Sequence, residues 1–477
     1  MPPALPSPIL PRMPAPPLTA DTIAAIATPP GRGAVALLRV SGPGALGVLR
    51  GVAPSLDGAP APRRQRLLAL RHPETGERLD RGLVAFFPAP ASYTGEDTVE
   101  ITTHGGVLTP QLVLDALLAA GARAAEPGEF TRRAYLNGKL DLLQAEAVLD
   151  LIDGRSRALH RAAVHQMERG LSRRVEELRA AIVGTEALVA YSIDFPEEDE
   201  PPVPPARARA SAADVLGRLD ALLATAPEGE LLREGALTVL AGRPNSGKSS
   251  LFNALLGVER AIVTDVPGTT RDALEASVTL DGYPFRLVDT AGLRETADRV
   301  ETIGIEVARR YLAAADIVLF CVEAGRSVES DEREFLVGLD PARAVVVRTK
   351  SDLMGDRGQG TGDSGNDLPG GVREVSVAAT EGRGIPELRD ALLGIAFGGI
   401  LGEPGEAPLV TRGRHARALR SARGEVAAFL EAMDDAVPME LAATHLRAAA
   451  GALEDLIGAV TVDDVLDRVF GDFCVGK

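Results

Sequence analysis

The motif Gly242-Arg-Pro-Asn-Ser-Gly-Lys248-Ser249 constrains this chain more than any other segment. It matches the pattern G-x-x-x-x-G-K-[ST] and stands between an apolar run, Ala236–Ala241, and a helical run, Ser250–Leu256. The glycines let backbone N–H groups turn onto phosphate oxygens at the positive end of the following helix. Lys248 would reach the β and γ phosphates, and the Ser249 hydroxyl would ligate Mg²⁺. The sequence therefore predicts a nucleoside triphosphate site, with contacts from Asn245, Ser246, Gly247, Lys248, Ser249 and Ser250.

Composition limits the classes of protein that the chain can represent. A length of 477 residues is typical of about three domains. The two cysteines, Cys321 and Cys474, cannot form a disulfide framework or a zinc site, which favours a reducing cytoplasmic environment. No apolar run reaches membrane-spanning length. The net charge of −16 argues against broad electrostatic binding of nucleic acid, so an RNA partner needs a local basic patch or a second protein.

Changes of pattern along the chain predict a multidomain α/β and α protein. Residues 1–20 are Pro-rich and lack the features of a signal peptide, so we expect a disordered extension. Residues 21–137 read as an α+β domain, and residues 138–234 with 404–477 read as a helical domain. Residues 235–403 alternate strands and helices, which predicts an inserted Ras-like P-loop domain with a doubly wound, mostly parallel sheet.

A second motif indicates which base is bound. Thr349-Lys-Ser-Asp352 follows the apolar strand Ala344–Val347, where guanine-specific proteins carry N/T-K-x-D. The Asp352 carboxylate would accept hydrogen bonds from guanine N1–H and the exocyclic amine, a donor pair that adenine lacks, and the stem of Lys350 would cover the base. Ser376, Val377 and Ala378 occupy the usual place of the loop behind the guanine.

Two elements between these motifs predict the switch regions. An apolar strand ends in Asp289-Thr290-Ala291-Gly292, a D-x-x-G element whose Asp289 should hold Mg²⁺ through water. Asp281-Gly282 is a two-residue hairpin signal, which predicts an antiparallel edge strand. Thr269 and Thr270 are the candidates for switch I, with Thr270 the better Mg²⁺ ligand.

The residues that would activate water are unusual. Leu293 stands where a Ras-type enzyme has the glutamine that orients the attacking water, and leucine can neither accept a proton nor form a hydrogen bond. Glu301 is the nearest carboxylate that could take this role. From spacing alone, Glu301 is equally well explained as a solvated glutamate at the start of a helix.

Over nearly its whole length the chain resembles the tRNA modification GTPase family MnmE (TrmE). The Phe-Cys-x-Gly-Lys ending and the Tyr-Thr-Gly-Glu-Asp block are the most specific parts of the match. Thr349, a Gly-rich insertion, an acidic Pro-rich loop and the Pro-rich amino extension depart from the family pattern. The resemblance is carried by Asp21–Ile23, Ala27–Gly33, Tyr93–Asp97, His104–Gly106, Pro127–Phe130, Asn137–Leu142, Gly242–Ser250, Gly268–Asp272, Asp289–Arg294 and Phe473–Lys477.

The resemblance implies GTP hydrolysis activated by K⁺, which sits where an arginine finger would and promotes dimerisation of the GTPase domains. It assigns the K⁺ ligands to Asn245, Thr264, Val266 and Thr269, and it matches Glu301 to the family's water-orienting glutamate. Lys248 and Glu301 are therefore the expected catalytic residues. The loop that closes over the nucleotide would comprise Thr264, Asp265, Val266, Pro267, Gly268, Thr269 and Thr270.

For the amino-terminal domain, the resemblance implies a homodimer that binds (6S)-5-formyl-tetrahydrofolate or a related tetrahydrofolate as one-carbon source. It places Arg39, Glu100, Lys139 and Lys477 at the folate pocket. Structural salt bridges would give the same sequence pattern. Cys474 is either a reactive thiol near the folate or a buried, inert one.

The implied reaction adds a carboxymethylaminomethyl or aminomethyl group to C5 of the wobble uridine of certain tRNAs. It would be shared with an FAD- and NADH-using partner, MnmG (GidA), in a heterotetramer that supplies most of the tRNA contact. The best local basic run is Arg412, Arg414, Arg417, Arg420 and Arg423, although a solvated helix face also explains it.

The alternative function is a regulatory P-loop GTPase that acts as an assembly or signalling switch. A third function, an ATP-dependent kinase, is disfavoured by Asp352.

Overall fold

The computed structural model describes residues 21–154, 156–194, 204–258, 275–289, 309–353, 368–399, 410–435, 437–458, 463–471 and 473–477. The chain divides into two compact units, one comprising Met1–Leu149 with Ile457–Lys477 and the other Asp150–Leu456. Among the described residues, no helix is long and apolar enough to cross a membrane.

The first unit is built on a mixed six-stranded sheet. Its strands are β1 (Ile23–Ile26), β2 (Val35–Ser41), β3 (Arg66–Arg71), β4 (Arg78–Phe87), β5 (Thr98–His104) and β6 (Arg123–Ala124), in the spatial order β3-β4-β5-β2-β1-β6. Side chains alternate along β5, which sends Val99 and Ile101 into the core. Helices α1 (Ala45–Val52) and α2 (Leu108–Ala119) cover that face.

The carboxyl end of the chain packs into the same unit. Helix α3 (Glu129–Leu136) receives the terminal segment, since the Phe130 amide donates to the Lys477 carbonyl at 3.2 Å. Gly476 has φ +99°, and a Cβ there would lie 2.6 Å from the carbonyl oxygen of Ile26. Only glycine therefore allows the terminal residues to lie this close to β1.

Helices dominate the parts of the second unit that flank its sheet. They are α4 (Leu142–Asp153, which begins in the first unit), α5 (Arg157–Met167), α6 (Gly170–Asp194), α7 (Pro205–Leu223), α8 (Ala226–Glu234), α12 (Gly413–Asp434) and α13 (Met439–Ile457). Helix α7 turns one apolar face into the core, since Val215, Leu219 and Leu222 are buried. On α13, Leu446, Leu453 and Leu456 form the buried stripe, while Ile457 is partly buried.

The second unit also holds the predicted doubly wound sheet. Its strands are β7 (Ala236–Ala241), β8 (Glu275–Leu280), β9 (Tyr283–Asp289), β10 (Ile317–Glu323), β11 (Ala344–Thr349) and β12 (Arg373–Ser376), in the order β12-β11-β10-β7-β9-β8. All pairs are parallel except the hairpin β8–β9, whose turn is the predicted Asp281-Gly282. Helices α9 (Lys248–Val258), α10 (Ser330–Val337) and α11 (Ile385–Phe397) accompany these strands.

Candidate functional site

The phosphate-binding loop lies between β7 and α9, where the carboxyl ends of parallel strands meet. Two of its glycines are required by close approach: a Cβ on Gly242 would lie 2.4 Å from the Cys321 carbonyl oxygen, and a Cβ on Gly247 would lie 3.0 Å from the Thr349 Cβ. Asn245 takes a left-handed conformation with φ 61° and is exposed. The loop is therefore held tightly against β10 and β11, with Asn245 at its outer turn.

Polar groups for phosphate and metal converge on this loop. The Lys248 Nζ donates to the carbonyl oxygens of Gly242 at 3.0 Å and Arg243 at 2.7 Å, which curls the side chain back over the loop. The Ser249 hydroxyl donates to Asp289 Oδ2 at 2.8 Å. Residues 40 positions apart are thus brought together at the point where the sequence predicts Mg²⁺. The Ser246 hydroxyl is buried and has no hydrogen-bond partner among the described residues.

The base-recognition element is tied to the phosphate loop through Thr349. Its hydroxyl donates to the Ser246 carbonyl at 2.6 Å, and the residue is buried. The departure from asparagine at this position therefore keeps a side chain that can hold the loop. Lys350 has φ 55°, and its ammonium pairs with Glu323 at 3.1 Å.

The segment Ser376–Ala378 lies directly beside this element. The Val377 amide donates to the Arg348 carbonyl at 2.7 Å, and the Ser351 amide donates to the Val377 carbonyl at 3.3 Å. Asp352 follows in a short 3-10 turn, Ser351–Leu353. The structure thus brings together the two segments that the sequence predicts around guanine.

Sequence reasoning missed Arg243, the second residue of the loop. Its guanidinium pairs with Glu329 and Asp331 at 2.8 Å and with Glu332 at 3.3 Å. Burial alone would raise the pKa of Glu332, but hydrogen bonds from Arg326 and the Glu329 amide hold that pKa below its ordinary value. A capping box formed by Glu329 and Glu332 starts α10, so the arginine fastens the loop to a helix 88 positions further on. No spacing rule links those positions.

A second polar cluster lies in the first unit, around Arg39. The Arg39 guanidinium donates to Glu100 Oε1 at 2.8 and 3.2 Å across the β2–β5 pair. The rings of Tyr93 and Phe130 lie 5.1 and 5.7 Å from its central carbon. The Nη1 of Arg39 is buried without a hydrogen-bond partner among the described residues. Such a donor is costly unless a ligand accepts from it.

Lys477 belongs to the same cluster. Burial lowers the pKa of its ammonium, and the positive charge of Arg39 lowers it further, while Glu100 acts in the opposite direction. Burial of the Tyr93 phenol raises its pKa, and its hydroxyl lies 2.9 Å from the Thr131 hydroxyl. Three of the four predicted folate residues, Arg39, Glu100 and Lys477, therefore share one environment.

The remaining predicted residues of this pocket are placed differently. Lys139 is exposed and donates to the Pro90 carbonyl at 3.0 Å. Cys474 is exposed, which rules out the buried alternative for this thiol. Cys321 is the buried cysteine, and burial raises its pKa to about 12.

Several predicted residues lie outside the described residues. They are Glu301, the loop Thr264, Asp265, Val266, Pro267, Gly268, Thr269 and Thr270, and the switch residues Thr290, Ala291 and Gly292.

The arginine run near the carboxyl end is largely structural. Arg412 is buried and pairs with Asp150 at 2.5 Å, and Arg423 pairs with Asp220 at 3.0 Å. Arg414 donates to the carbonyls of Asp455 and Leu456 at the end of α13. Arg417, Arg420 and the paired Arg423 are the exposed members of the run.

The sheet order, the phosphate loop and the guanine element together define a P-loop GTPase carried within a larger chain. Family models match 142–474 as the MnmE helical domain and 22–139 as the GTP-binding protein TrmE N-terminus. The tRNA modification GTPase MnmE of Moorella thermoacetica is 43% identical over 462 residues, covering 96% of this chain and 99% of the relative. The protein of the same name from Azoarcus sp. is 44% identical, with 96% and 98% covered. The chain belongs to the MnmE family of tRNA modification GTPases.

Solved structures similar to this chain include the G domain of the T. maritima FeoB iron transporter. That domain is 25% identical, covers 34% of this chain and 98% of its own, and has a TM-score of 0.24.

Proposed function

We propose that this chain is a K⁺-activated GTP hydrolase that takes part in modifying tRNA. With an FAD- and NADH-dependent partner, it adds a carboxymethylaminomethyl or aminomethyl group to C5 of the wobble uridine, using a tetrahydrofolate one-carbon unit. The observation that carries the GTPase part is the 2.8 Å contact between Ser249 and Asp289 beside Lys248. The full-length match to proteins named tRNA modification GTPase supports the rest.

The described residues fit a triphosphate and Mg²⁺. Ser249 and Asp289 offer a hydroxyl and a carboxylate oxygen, the donor set that suits this hard cation. The buried Ser246 hydroxyl has no partner among the residues that the structure describes. When a triphosphate binds, the Lys248 ammonium would donate to phosphate oxygens in place of the Gly242 and Arg243 carbonyls. Its positive charge already lies at the loop, so binding needs no rearrangement of the loop backbone. Bound Mg²⁺ and K⁺ supply positive charge to the β and γ phosphates as the bond between them breaks.

Asn245 supports the K⁺ assignment by its position. Its left-handed backbone and exposed side chain put an amide oxygen at the outer turn of the loop, available to a cation beside the phosphates. The further ligands Thr264, Val266 and Thr269, and the water-orienting Glu301, rest on the family resemblance. Leu293 cannot perform the task of the usual glutamine, so these residues carry it in the proposal.

The Arg39 cluster supports a folate site. Folates combine a flat pterin, with amide-like donors and acceptors, and carboxylates. The Arg39 Nη1, which has no partner in the described part of the chain, and the Lys477 ammonium can donate to acceptors. Glu100 can accept from donors, and the Tyr93 ring offers a stacking surface. The exposed Lys139 would hold an outer carboxylate.

The outer face of the first sheet supports the proposed homodimer. Val35, Leu67 and Leu83 are 60%, 53% and 38% exposed on a face that carries Arg39 and Glu100. A large exposed apolar patch of this kind marks a protein interface, and a second copy would cover it.

We further propose a cytoplasmic location, since the tRNA substrate and the partner subunit are found there.

The rate of GTP hydrolysis in K⁺ and in Na⁺ tests the GTPase proposal. We expect hydrolysis to be at least about tenfold faster in K⁺, because the cation supplies charge that Leu293 and the loop residues do not. Equal rates in the two salts would reject K⁺ activation. The alternative, a regulatory switch, predicts that deletion of this chain leaves the wobble-uridine profile unchanged.

A further inference from the structure

The β3–β4 hairpin of the first unit carries a concentration of arginine that the site does not use. Residues 63–81 contain six arginines and three acidic residues, whereas the whole chain has a net charge of −16. Five of these arginines are exposed and have no carboxylate partner among the described residues. We call this set the arginine hairpin: Arg64, Arg66, Arg71, Arg78 and Arg81.

The register of the hairpin concentrates charge on one face. Arg71 and Arg78 are direct cross-strand partners, and Arg81 lies opposite Ala69, two residues before Arg71. Like charges in directly opposed positions destabilise a sheet, so the Arg71–Arg78 pair is repulsive. An anionic partner on that face removes the repulsion.

The neighbouring acidic residues do not neutralise this face. Asp80 accepts from the backbone and the ring of His104 at 2.8 Å. Burial would raise the pKa of Asp80, but those hydrogen bonds hold it below its ordinary value, so the carboxylate stays committed to His104. Glu74 and Glu77 are exposed in the connecting turn, and Arg71 donates to the Gly76 carbonyl there at 2.9 Å.

The position of the hairpin fits a nucleic-acid backbone. β3 is the edge strand of the sheet, and the stretch from Arg66 to Arg71 spans about 17 Å at the usual rise per residue. The edge strand carries an arginine at each end, Arg66 and Arg71, and β4 beside it adds Arg78 and Arg81. Arginine is the side chain that binds phosphate in a bidentate manner.

The same face leads to the Arg39 cluster. Ala85 lies about 13 Å from Arg81 along β4. Its neighbour on β5 is Glu100, and the neighbour of Glu100 on β2 is Arg39. A polynucleotide on the arginine hairpin would thus lie at the end of this face, beyond the apolar residues Leu67 and Leu83 that the proposed second copy covers. We propose that the arginine hairpin binds the phosphate backbone of the tRNA substrate; this inference rests on the proposed function.

The test is the affinity of the full chain for unmodified tRNA, measured by fluorescence anisotropy between about 50 and 200 mM salt. The variant R71Q/R78Q/R81Q should bind about tenfold more weakly or worse, and the slope of log affinity against log salt should fall by about 2 to 3. The matched control R161Q/R207Q/R373Q removes the same charge from exposed arginines of the second unit and should change affinity less than threefold. R71K/R78K/R81K should recover most of the affinity.

Three results would overturn the inference: no tRNA binding by the wild-type chain, equal losses in the two glutamine triples, or no loss in either. A hairpin variant that binds tRNA normally but loses affinity for the FAD-dependent subunit would assign the surface to an acidic protein instead. Failure of the proposed function is separate, because it would appear as an unchanged wobble-uridine profile after deletion of the chain. The hairpin variants should keep wild-type GTP hydrolysis, since none of the changed residues touches the phosphate loop.

Discussion

The phosphate loop and the Arg39 cluster are built on opposite principles. The loop is a contiguous motif, 242–249, whose ligands are mostly backbone groups positioned by two glycines and a helix start. The cluster is assembled from side chains that are far apart in sequence, from Arg39 on β2 to Lys477 at the end of the chain. One site depends on local geometry and the other on tertiary packing, so substitutions should affect them in different ways.

Electrostatics separates the two regions as well. At the loop, Lys248 is held by carbonyl oxygens and Arg243 by three carboxylates, so positive charge is compensated before any ligand binds. At the cluster, Arg39 has one carboxylate partner, Glu100, and a nearby second cation, Lys477. An excess of positive charge in a partly buried setting favours an anionic ligand.

Removing the loop lysine should have the largest effect. Lys248→Ala should lower the rate constant of GTP hydrolysis by on the order of 10³, because a fixed charge on the breaking phosphate bond is lost. Single-turnover hydrolysis measures this change. Folate binding should stay within twofold of wild type, and a parallel loss of folate binding would show that the two regions are not independent.

Changing the guanine contact should have the next largest effect. Asp352→Asn should weaken GTP binding about 10²-fold, because two charge-assisted hydrogen bonds to guanine are lost. The asparagine amide can donate to the carbonyl that xanthine carries in place of the guanine amine. Competition between GTP and xanthosine triphosphate should therefore reverse in favour of the latter, and an unchanged preference for GTP would reject the assignment.

At the cluster, Arg39→Ala should weaken binding of 5-formyl-tetrahydrofolate about ten- to a hundredfold, the effect of losing a charged hydrogen bond. Titration calorimetry measures the affinity. The control Arg174→Ala removes an exposed arginine paired with Glu177 and should leave folate binding unchanged. Equal affinities for wild type and Arg39→Ala would mean that the Arg39–Glu100 pair is only a structural salt bridge.

The smallest effect should be a pH dependence from Lys477. Burial and Arg39 lower the folded pKa of this ammonium below 10.5, so the folded chain releases the proton at a lower pH than the unfolded chain. The free energy of unfolding should therefore rise with pH between the folded and unfolded pKa values. Folate affinity should fall over the same range as the cation is lost. Lys477→Met should remove both trends, and their persistence would locate the titration elsewhere.

The same contrast explains how much the sequence could predict. The strand–loop–helix around Gly242 and the Asp281-Gly282 hairpin follow from local spacing, and the structure confirms them. The contacts of Thr349 with Ser246 and of Arg243 with α10 depend on strands that meet only in the folded sheet. The Arg39 cluster could be anticipated only from family resemblance, because nothing in the spacing of β2 indicates the carboxyl-terminal residue.

Complementation of a strain that lacks this chain tests the central claim most directly. The strain would receive wild type, Lys248→Ala or Arg39→Ala, and mass spectrometry would measure the C5-modified wobble uridine in its tRNA. We expect modification with wild type and little or none with either variant, since the claim requires both GTP hydrolysis and a one-carbon donor. Modification restored equally by wild type and by Arg39→Ala, or modification in the strain without any copy of the chain, would contradict it.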